Sequence, residues 1–421
     1  MESYTIEHRG TRLSVRIGDA ITACRVDEVT DAGHCRIHPH LVRLPGGRLM
    51  LRVNIDGDIG GAEFVTYASD DDGATWQDFP DWPQTSGVFA VLETGEALLT
   101  AGGRFYATDE PGVYCLPVRR SPDGGLSWSP PEASRVELPL PMEEPLDRYD
   151  PPDSFLDRVT GGQSGRAWLA KWQKPAPGAA EAAVRAQFGR RTLTAYLMQI
   201  LPLQGEKALA FLYLTQQWGD PHITVCLATE DAGRTWTYRS TPGPYDLRFA
   251  KHGYLRHKHD GLCEPSCTRL ATGELFLVMR MGSFHPLYAT CSNDDGLTWS
   301  PQADRRPGCY YETWPARPLS VCGILPTVLT LPDGTLALCS GRPDVTLSFS
   351  FDNGYHWPWT YRFLEDNKPE EQSTFNNTMV RLAPGRLLLM YDHGQNSGKI
   401  PEYTGPRHIL GHVIDVEVAK G

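Results

Sequence analysis

The stretch SDDDGATW at residues 69–76 recurs four more times along the chain, which indicates a fold built from repeats. The other copies are SPDGGLSW (121–128), TEDAGRTW (229–236), SNDDGLTW (292–299) and SFDNGYHW (350–357). The shared form is Ser/Thr-x-Asp-x-Gly-x-(Thr/Ser/His)-Trp, which we call the box. In each box we expect the Asp to cap backbone N–H groups of a turn, the Gly to adopt a positive φ and the Trp to pack between strands. The boxes are therefore predicted to be structural staples, away from catalysis and metal binding.

A second signal accompanies the boxes, namely a glycine turn between two apolar strands. Its copies are LPGGRLML (44–51), LETGEALL (92–99), LATGELFL (270–277), LPDGTLAL (331–338) and LAPGRLLL (382–389), with weaker versions at 161–172 and 201–214. Glycine supplies the positive φ that tight hairpin turns need. Another short strand separates hairpin from box, so each unit offers three or four strands and little helix.

The spacing of these units predicts an all-β fold. Repeated units of four antiparallel strands at this period are typical of propeller blades. Counting hairpins gives seven blades, and six are possible if some units are irregular. We expect one β-propeller domain over residues 1–421, with an insertion around 173–195 that contains the helix-like stretch 177–191. The long interval between the second and third boxes predicts one unit without a box.

Composition narrows the class of partner. The 421-residue chain has a net charge of −11, which argues against nucleic acid because phosphate binding needs a basic face. No apolar run approaches membrane-spanning length, and the start lacks a basic-then-apolar signal pattern, so we expect a cytoplasmic protein as written and no membrane partner. The ten cysteines form no regular framework, and we expect reduced thiols, no metal pattern and no cofactor, although a propeller's central channel can hold an ion.

The boxes and hairpins together resemble the sialidase (neuraminidase) superfamily, whose members carry such Asp boxes, or BNR repeats, on a β-propeller. The resemblance covers nearly the whole chain. Sialidases clamp the substrate carboxylate with three arginines, the first in an Arg-Ile-Pro motif. Here Arg36 and Ile37 match that motif, while His38 stands where Pro is expected. The resemblance makes Arg280 and Arg342 the second and third clamp residues.

Two acidic positions follow from the same resemblance. The family's acid precedes the first box by about ten residues, which implies Asp58, with Asp56 as a close second. Glu264 matches the Glu that pairs with the family's nucleophile. The residues themselves add one argument: Arg280 ends the apolar strand LFLVMR, and a buried cation needs a carboxylate nearby, from protein or ligand.

The chain departs from the family at its nucleophile. The last blade of sialidases carries a nucleophilic Tyr before its hairpin, but Phe375 occupies that place and has no oxygen. Tyr391 follows the hairpin and is expected to pack there instead. His38 and His40 flank Pro39 next to Arg36, and a His with a pKa near neutrality can act as acid or base.

Three functions remain open at this stage. The first is a sialidase-like exo-glycosidase that removes a terminal acidic sugar, with Asp58 as acid and Glu264 as orienting group or base. The second is a lyase that acts on a uronate in an oligosaccharide or polysaccharide, with His38, His40 or a Tyr as base. The third is a non-catalytic glycan-binding propeller. All three imply an acidic oligosaccharide, sialic acid-like or uronate-containing, as the partner.

Overall fold

Strand pairing groups the sequence repeats into antiparallel sheets. The computed structural model describes residues 1–24, 36–55, 63–83, 85, 87–101, 104–138, 184, 186–188, 192–193, 195–214, 222–242, 261–282, 285–300, 316–342, 344–363, 376–394 and 407–420. They form two compact units, the first comprising Met1–Asp58, Glu63–Gln84 and Pro242–Gly421 and the second Ile59–Ala62 and Thr85–Thr241.

The first unit begins with three strands that belong to the sheet of the C-terminus, followed by a complete four-stranded sheet. The three are β1 (Glu2–His8), β2 (Thr11–Ile17) and β3 (Ile21–Cys24). The four-stranded sheet runs in chain order through β4 (Arg36–Arg43), β5 (Leu49–Ile55), β6 (Glu63–Ser69) and β7 (Gln77–Asp78). The glycine turn at 44–47 joins β4 to β5, and the first box joins β6 to β7, as the repeat predicts.

The second unit contains two four-stranded groups joined edge to edge. Its strands are β8 (Phe89–Val91), β9 (Ala97–Thr100), β10 (Phe105–Ala107), β11 (Val113–Ser121), β12 (Glu132–Glu137), β13 (Thr192–Leu193), β14 (Ala195–Pro202), β15 (Ala208–Leu214), β16 (Ile223–Thr229) and β17 (Thr235–Ser240). One group is β8, β9, β11 and β12, and the other is β14 to β17. Strands β12 and β17 pair in parallel, which makes one continuous sheet. Residues 184 and 186–188 are helical, within the predicted helix-like stretch 177–191.

The rest of the first unit repeats the four-stranded plan. One sheet is β18 (Cys263–Arg269), β19 (Leu275–Arg280), β20 (Pro286–Ser292) and β21 (Arg317–Cys322). The next is β22 (Ile324–Thr330), β23 (Leu336–Gly341), β24 (Thr346–Ser350) and β25 (Trp359–Arg362). The last is β26 (Asn377–Ala383), β27 (Arg386–Gly394) and β28 (Arg407–Lys420), which β2 and β1 extend, with β3 also paired to β28.

The described strands thus make six groups, five of four strands and the last of six, within the predicted range of six or seven blades. The seventh hairpin of the sequence count, at 161–172, lies outside the described residues. The long interval between the second and third boxes is filled by β12 to β16 and by residues 139–191, most of which also lie outside them. In that interval, the described strands form no separate four-stranded group that lacks a box.

Burial explains why second strands such as β15 and β23 read as largely apolar. All seven residues of β15 and all six of β23 are buried. A strand covered on both faces by other layers carries apolar side chains at successive positions instead of alternating ones. The eight cysteines among the described residues are free thiols, as expected. No helix in the described ranges has the length and apolar character needed to cross a membrane.

Each box is a hydrogen-bonded turn between the third and fourth strands, as predicted. In the copy at 292–299, the Asp294 carboxylate accepts the N–H of Thr298 at 2.8 Å and its hydroxyl at 2.5 Å. The hydroxyl of Ser292 accepts the N–H of Gly296 at 2.8 Å, and the indole of Trp299 donates to the Gly296 carbonyl oxygen at 3.1 Å. Corresponding carboxylate contacts recur in the other four boxes at Asp71, Asp123, Asp231 and Asp352.

The box glycine cannot be replaced without strain. Gly354 has a φ of 84°, and a Cβ added there would lie 2.5 Å from the Phe276 ring of the neighbouring sheet. The left-handed conformation and this close approach both exclude a side chain.

We expect replacement of Asp294 by Ala to lower the free energy of unfolding by about 1–2 kcal/mol, because the turn loses several hydrogen bonds to one carboxylate. Burial alone would raise the pKa of Asp294, but hydrogen bonds from Thr298, Ser292 and the turn backbone hold this pKa at about 2. The carboxylate is therefore ionised at neutral pH and accepts the hydrogen bonds of the turn in that form. Urea unfolding measures the change, with the exposed neighbour Asn293→Ala as control. Equal midpoints for the two variants would contradict a capping role.

Candidate active site

Three predicted site residues of the first unit, His38, Glu264 and Arg280, lie at one end of its sheets. The first strands of the four sheets contact one another in the order β18, β22, β26, β4. β18 and β22 run in the same direction, since Ser266 accepts the N–H of Val328 at 3.1 Å and the hydroxyls of Thr268 and Thr330 lie 2.9 Å apart. At the start of β26, Asn377 contacts Cys339, which pairs near the start of β22, and Asn376 shares the Asp392 carboxylate with His38 at the start of β4. The starts of the four strands therefore share one side of the unit.

Three of these strand starts carry the same backbone irregularity. In β4, β18 and β22 the pairing with the second strand slips so that two residues oppose one. The first residue of each bulge has a left-handed φ, 52° at His38, 47° at Glu264 and 44° at Leu325, and each is followed by a proline. Residues before proline normally adopt extended conformations, so the backbone is strained at three equivalent places. Bulges and strained residues are concentrated next to active sites.

Glu264 joins two neighbouring sheets at this strained position. Its Oε1 accepts a hydrogen bond from Nη1 of Arg280 at 2.6 Å, and its Oε2 accepts the N–H of Leu325 at 2.7 Å. The two charged side chains are only 11% and 14% exposed. The carboxylate that the sequence required near Arg280 is therefore Glu264, and the pair is fixed by contacts to β19 and β22.

The carboxylate of Asp392 also joins two sheets, at the start of β4. Asp392 of β27 is fully buried, and its contacts include the N–H of His38 at 3.3 Å. It also accepts the backbone N–H of Asn376 at 3.3 Å and the side-chain amide at 2.8 Å. Asp392 therefore ties the last sheet to the left-handed residue of the first.

His40 lies within β4 directly opposite Arg52 of β5. Burial lowers the pKa of His40 to about 3, and the positive charge of Arg52 adds to the effect. Burial also lowers the pKa of Arg52 to about 10, so its guanidinium remains charged at neutral pH. His40 is consequently neutral there and can serve as a hydrogen-bonding group or a weak base, but not as an imidazolium acid.

The remaining predicted residues are placed only in part. Arg342 directly follows β23, with a φ of 53°, at the strand end that pairs with Ile324 and so at the same end as Arg280. Arg36 begins β4, but its side chain lies outside the described residues, as do Asp58 and Phe375. The convergence of Arg36, Arg280 and Arg342 on one anion stays a prediction.

Tyr391 packs in the core, as expected from its place after the hairpin. It is 2% exposed, its hydroxyl lies 3.1 Å from Nε2 of His412, and the two rings stack with centroids 5.9 Å apart. Burial raises the pKa of Tyr391 to about 12. A tyrosine in this environment keeps its proton and does not supply the missing nucleophile.

Asp392, Asn376 and Leu325 are not among the residues predicted from the sequence, although one sequence signal marks the bulges. Each bulge proline stands five residues before the leucine that opens the glycine hairpin, in the pairs Pro39 and Leu44, Pro265 and Leu270, and Pro326 and Leu331. This constant spacing marks the starts of three first strands and could have located the bulges. Asp392 has no comparable local signal.

Comparison with known proteins agrees with this architecture. The family model described as "BNR repeat-like domain" matches residues 198–409. The chain belongs to this BNR repeat-like family. No curated protein matches the chain at a significant level.

Solved structures show the same fold. The chain is similar to a protein of unknown function from Dyadobacter fermentans, with 15% identity, a TM-score of 0.61, and coverage of 97% of this chain and 100% of that one. It is also similar to an alpha-L-arabinanase from Penicillium chrysogenum complexed with arabinobiose, with 14% identity, a TM-score of 0.54 and coverage of 95% and 98%. For a mutant of the NanB sialidase from Streptococcus pneumoniae the values are 12%, 0.54, 94% and 70%. The fold is thus a sialidase-like β-propeller, one that carbohydrate-active enzymes use.

Proposed function

We propose that the protein is a carbohydrate-active enzyme, a sialidase-like exo-glycosidase acting on a terminal sugar that bears a carboxylate. The observation that carries the proposal is the Glu264–Arg280 pair, held at 2.6 Å on a strained bulge among the strand starts of the first unit. A buried charged pair is a poor device for stability alone, which favours a role in binding or catalysis. The fold shared with an arabinanase and a sialidase supports a carbohydrate as the partner.

The acidic character of the sugar is inferred from the arginines. A guanidinium has five N–H donors in a planar fork and can bind a substrate carboxylate while its Nη1 stays bonded to a protein carboxylate. In this proposal Arg280 holds the sugar carboxylate together with Arg36 and Arg342. Arg342 follows a strand end equivalent to the one that carries Arg280, which supports this grouping.

The proposed mechanism depends on Phe375, the residue at the place where the family carries its nucleophile. Because Phe375 has no oxygen, a covalent glycosyl–tyrosine intermediate cannot form at that place. We propose direct displacement by water: Asp58 protonates the departing glycosidic oxygen, and Glu264 orients the water or accepts its proton. One water attacks the anomeric carbon as the C–O bond breaks, so the configuration inverts.

A uronate lyase is the second candidate, and the strained backbone at His38 favours it. In that reaction a base such as His38 takes the C5 proton, the electron pair forms the C4–C5 double bond as the C4–O bond breaks, and the departing glycosidic oxygen takes a proton from solvent. The arginines would acidify the C5 proton by neutralising the uronate carboxylate. His40 is the poorer base, because a pKa of about 3 leaves it little affinity for a proton.

A substrate panel tests the proposal. We expect release of methylumbelliferone from the glycosides of sialic acid or glucuronic acid and none from the α-L-arabinofuranoside, which lacks a carboxylate. Turnover of the neutral glycoside alone would overturn the acidic specificity. If oligomeric uronates give a product that absorbs in the near ultraviolet, the reaction is elimination and not hydrolysis. Saturable binding of acidic sugars without either product would leave only the glycan-binding function.

A further inference from the structure

The fifth box differs from the other four at one position. Where they carry Thr or Ser, it carries His356. In the box at 69–76 the hydroxyl of Thr75 donates to Oδ2 of Asp71 at 2.6 Å. In the fifth box Nδ1 of His356 takes that place, 2.6 Å from Oδ2 of Asp352. The imidazole thus preserves the turn and adds a second ring nitrogen to it.

A second histidine reaches the same box from the N-terminus. His8 ends β1, and its ring centroid lies 5.8 Å from that of His356. Its Nε2 is buried and has no hydrogen-bond partner among the described residues. A buried ring nitrogen without a partner loses its hydration and gains nothing in return, so its presence needs an explanation.

We propose that His8, Asp352 and His356 bind a divalent transition-metal ion such as Zn²⁺. Ligand atoms of the three residues all lie within 4.8 Å of one another, a spacing that one ion can bridge. Two imidazoles and one carboxylate are a known zinc donor set, with the remaining coordination position left to water. No sequence spacing signals this site, because His8 lies at the opposite end of the chain from the box.

Binding requires a small rearrangement. Ligands of a tetrahedral zinc ion at about 2.0–2.1 Å are separated by roughly 3.3 Å, which is longer than the hydrogen bond between His356 and Asp352. The metal replaces the shared proton, which is released to solvent, while Oδ1 of Asp352 still accepts the N–H of His356 at 2.9 Å. Arg9 also contacts Oδ2 of Asp352, at 3.2 Å, but its side chain is 62% exposed and can move into solvent.

The site would link the edge strand β1 to the box between β24 and β25 in the first unit. Among the described strands β1 pairs with β2 alone, so its other edge is held by side-chain contacts such as that of Tyr4 with Trp359, whose ring centroids are 5.5 Å apart. An unpaired edge strand is prone to fraying or to pairing with another chain. A metal ion bound by residues of both elements would hold this edge in place.

Zinc titration of the full chain, after removal of metal by EDTA, tests the inference. We expect about one Zn²⁺ per chain, a higher melting temperature, and a Co²⁺ derivative with visible bands but no sulfur-to-metal charge-transfer band. His8→Leu and His356→Thr should each weaken binding by about 100-fold or more. His356→Thr restores the residue type of the other boxes and should fold normally. His8→Leu should leave the metal-free protein as stable as the wild type, because it removes the unpartnered nitrogen.

Two further variants sharpen the test. Thr298→His places a histidine at the equivalent position of another box and should create no second site. Arg9→Gln should raise the zinc affinity, since a competing cation is removed. The inference is overturned if the wild type takes up no zinc, if His8→Leu and His356→Thr bind it as tightly as the wild type, or if a charge-transfer band assigns the metal to the thiols.

Discussion

Replacing Arg280 by Met should abolish turnover of an acidic glycoside and lower the free energy of unfolding by about 3–5 kcal/mol. The stability loss arises because the carboxyl group of Glu264, which is 11% exposed, would be left in the interior with the N–H of Leu325 as its remaining partner among the contacts described above. The loss of turnover arises because the sugar carboxylate would lose its ligand. Urea unfolding measures the first effect, and the fluorogenic assay at a temperature where the variant is folded measures the second.

Two matched variants separate these effects. In the double variant Glu264→Gln with Arg280→Met, no isolated charge remains, so stability should largely recover while turnover stays absent. Arg269→Met removes another arginine of the same sheet, whose bond to Asp295 joins side chains that are 41% and 50% exposed. It should change stability by no more than about 1 kcal/mol and leave turnover unchanged, because exposed pairs contribute little. A folded Arg280→Met variant with normal turnover would remove Arg280 from the proposed site.

The repeated elements could be predicted from the sequence because their contacts are local. Each box closes its hydrogen bonds within eight residues, so the pattern of residue types is sufficient to specify the turn. In the copy at 292–299, for example, Ser292 and Trp299 both bond to Gly296. The hairpins are equally local, with Gly273 and Leu270 bonded across one turn. The period of these local units then indicates the propeller, and the family match agrees.

The contacts of the site could not be predicted because they join distant parts of the chain. Glu264 bonds to Leu325, 61 residues away, and Asp392 bonds to His38, 354 residues away. The expected partner of Glu264 was a nucleophile, whereas the structure pairs it with Arg280. The residues before proline gave no reason to expect a left-handed φ, since that position favours extended backbone. Only the neighbouring sheets make the strain at His38 and Glu264 tolerable.

The environment of His40 is also a property of the folded sheets. His38 and His40 both lie next to the Arg36 motif, so the sequence predicts an acid–base role for both of them. The register instead places His40 opposite the half-buried Arg52 and lowers the pKa of His40 to about 3. The two histidines are two residues apart, but His38 is the first residue of the bulge and His40 is the first paired residue after it, so they can perform different functions.

Replacing Asp392 by Ala should lower the free energy of unfolding by about 2–5 kcal/mol. Its carboxylate accepts the N–H groups of His38 and Asn376 and the side-chain amide of Asn376, and each buried donor left without a partner costs about 1–3 kcal/mol. The loss should be smaller in Asp392→Asn, which keeps one acceptor oxygen but turns an amide group toward other donors. Urea unfolding of the three proteins should therefore give midpoints in the order wild type, Asn, Ala.

The control for this series is the substitution Asp333→Ala. Asp333 is exposed and lies in the hairpin after β22. Among the bonds found in the described chain, its carboxylate accepts only the N–H and hydroxyl of Thr335. Its loss should cost about 1 kcal/mol, the net value of a typical hydrogen bond, because the exposed carboxylate serves a single residue of its own turn. If Asp392→Ala and Asp333→Ala unfold at the same urea concentration, the buried carboxylate does not hold the bulge of β4. If the predicted order appears, the left-handed conformation of His38 depends on a residue of the last sheet. The folded Asn variant should then show reduced turnover while the Asp333 variant keeps its full rate, because only the former disturbs the strand start that carries His38.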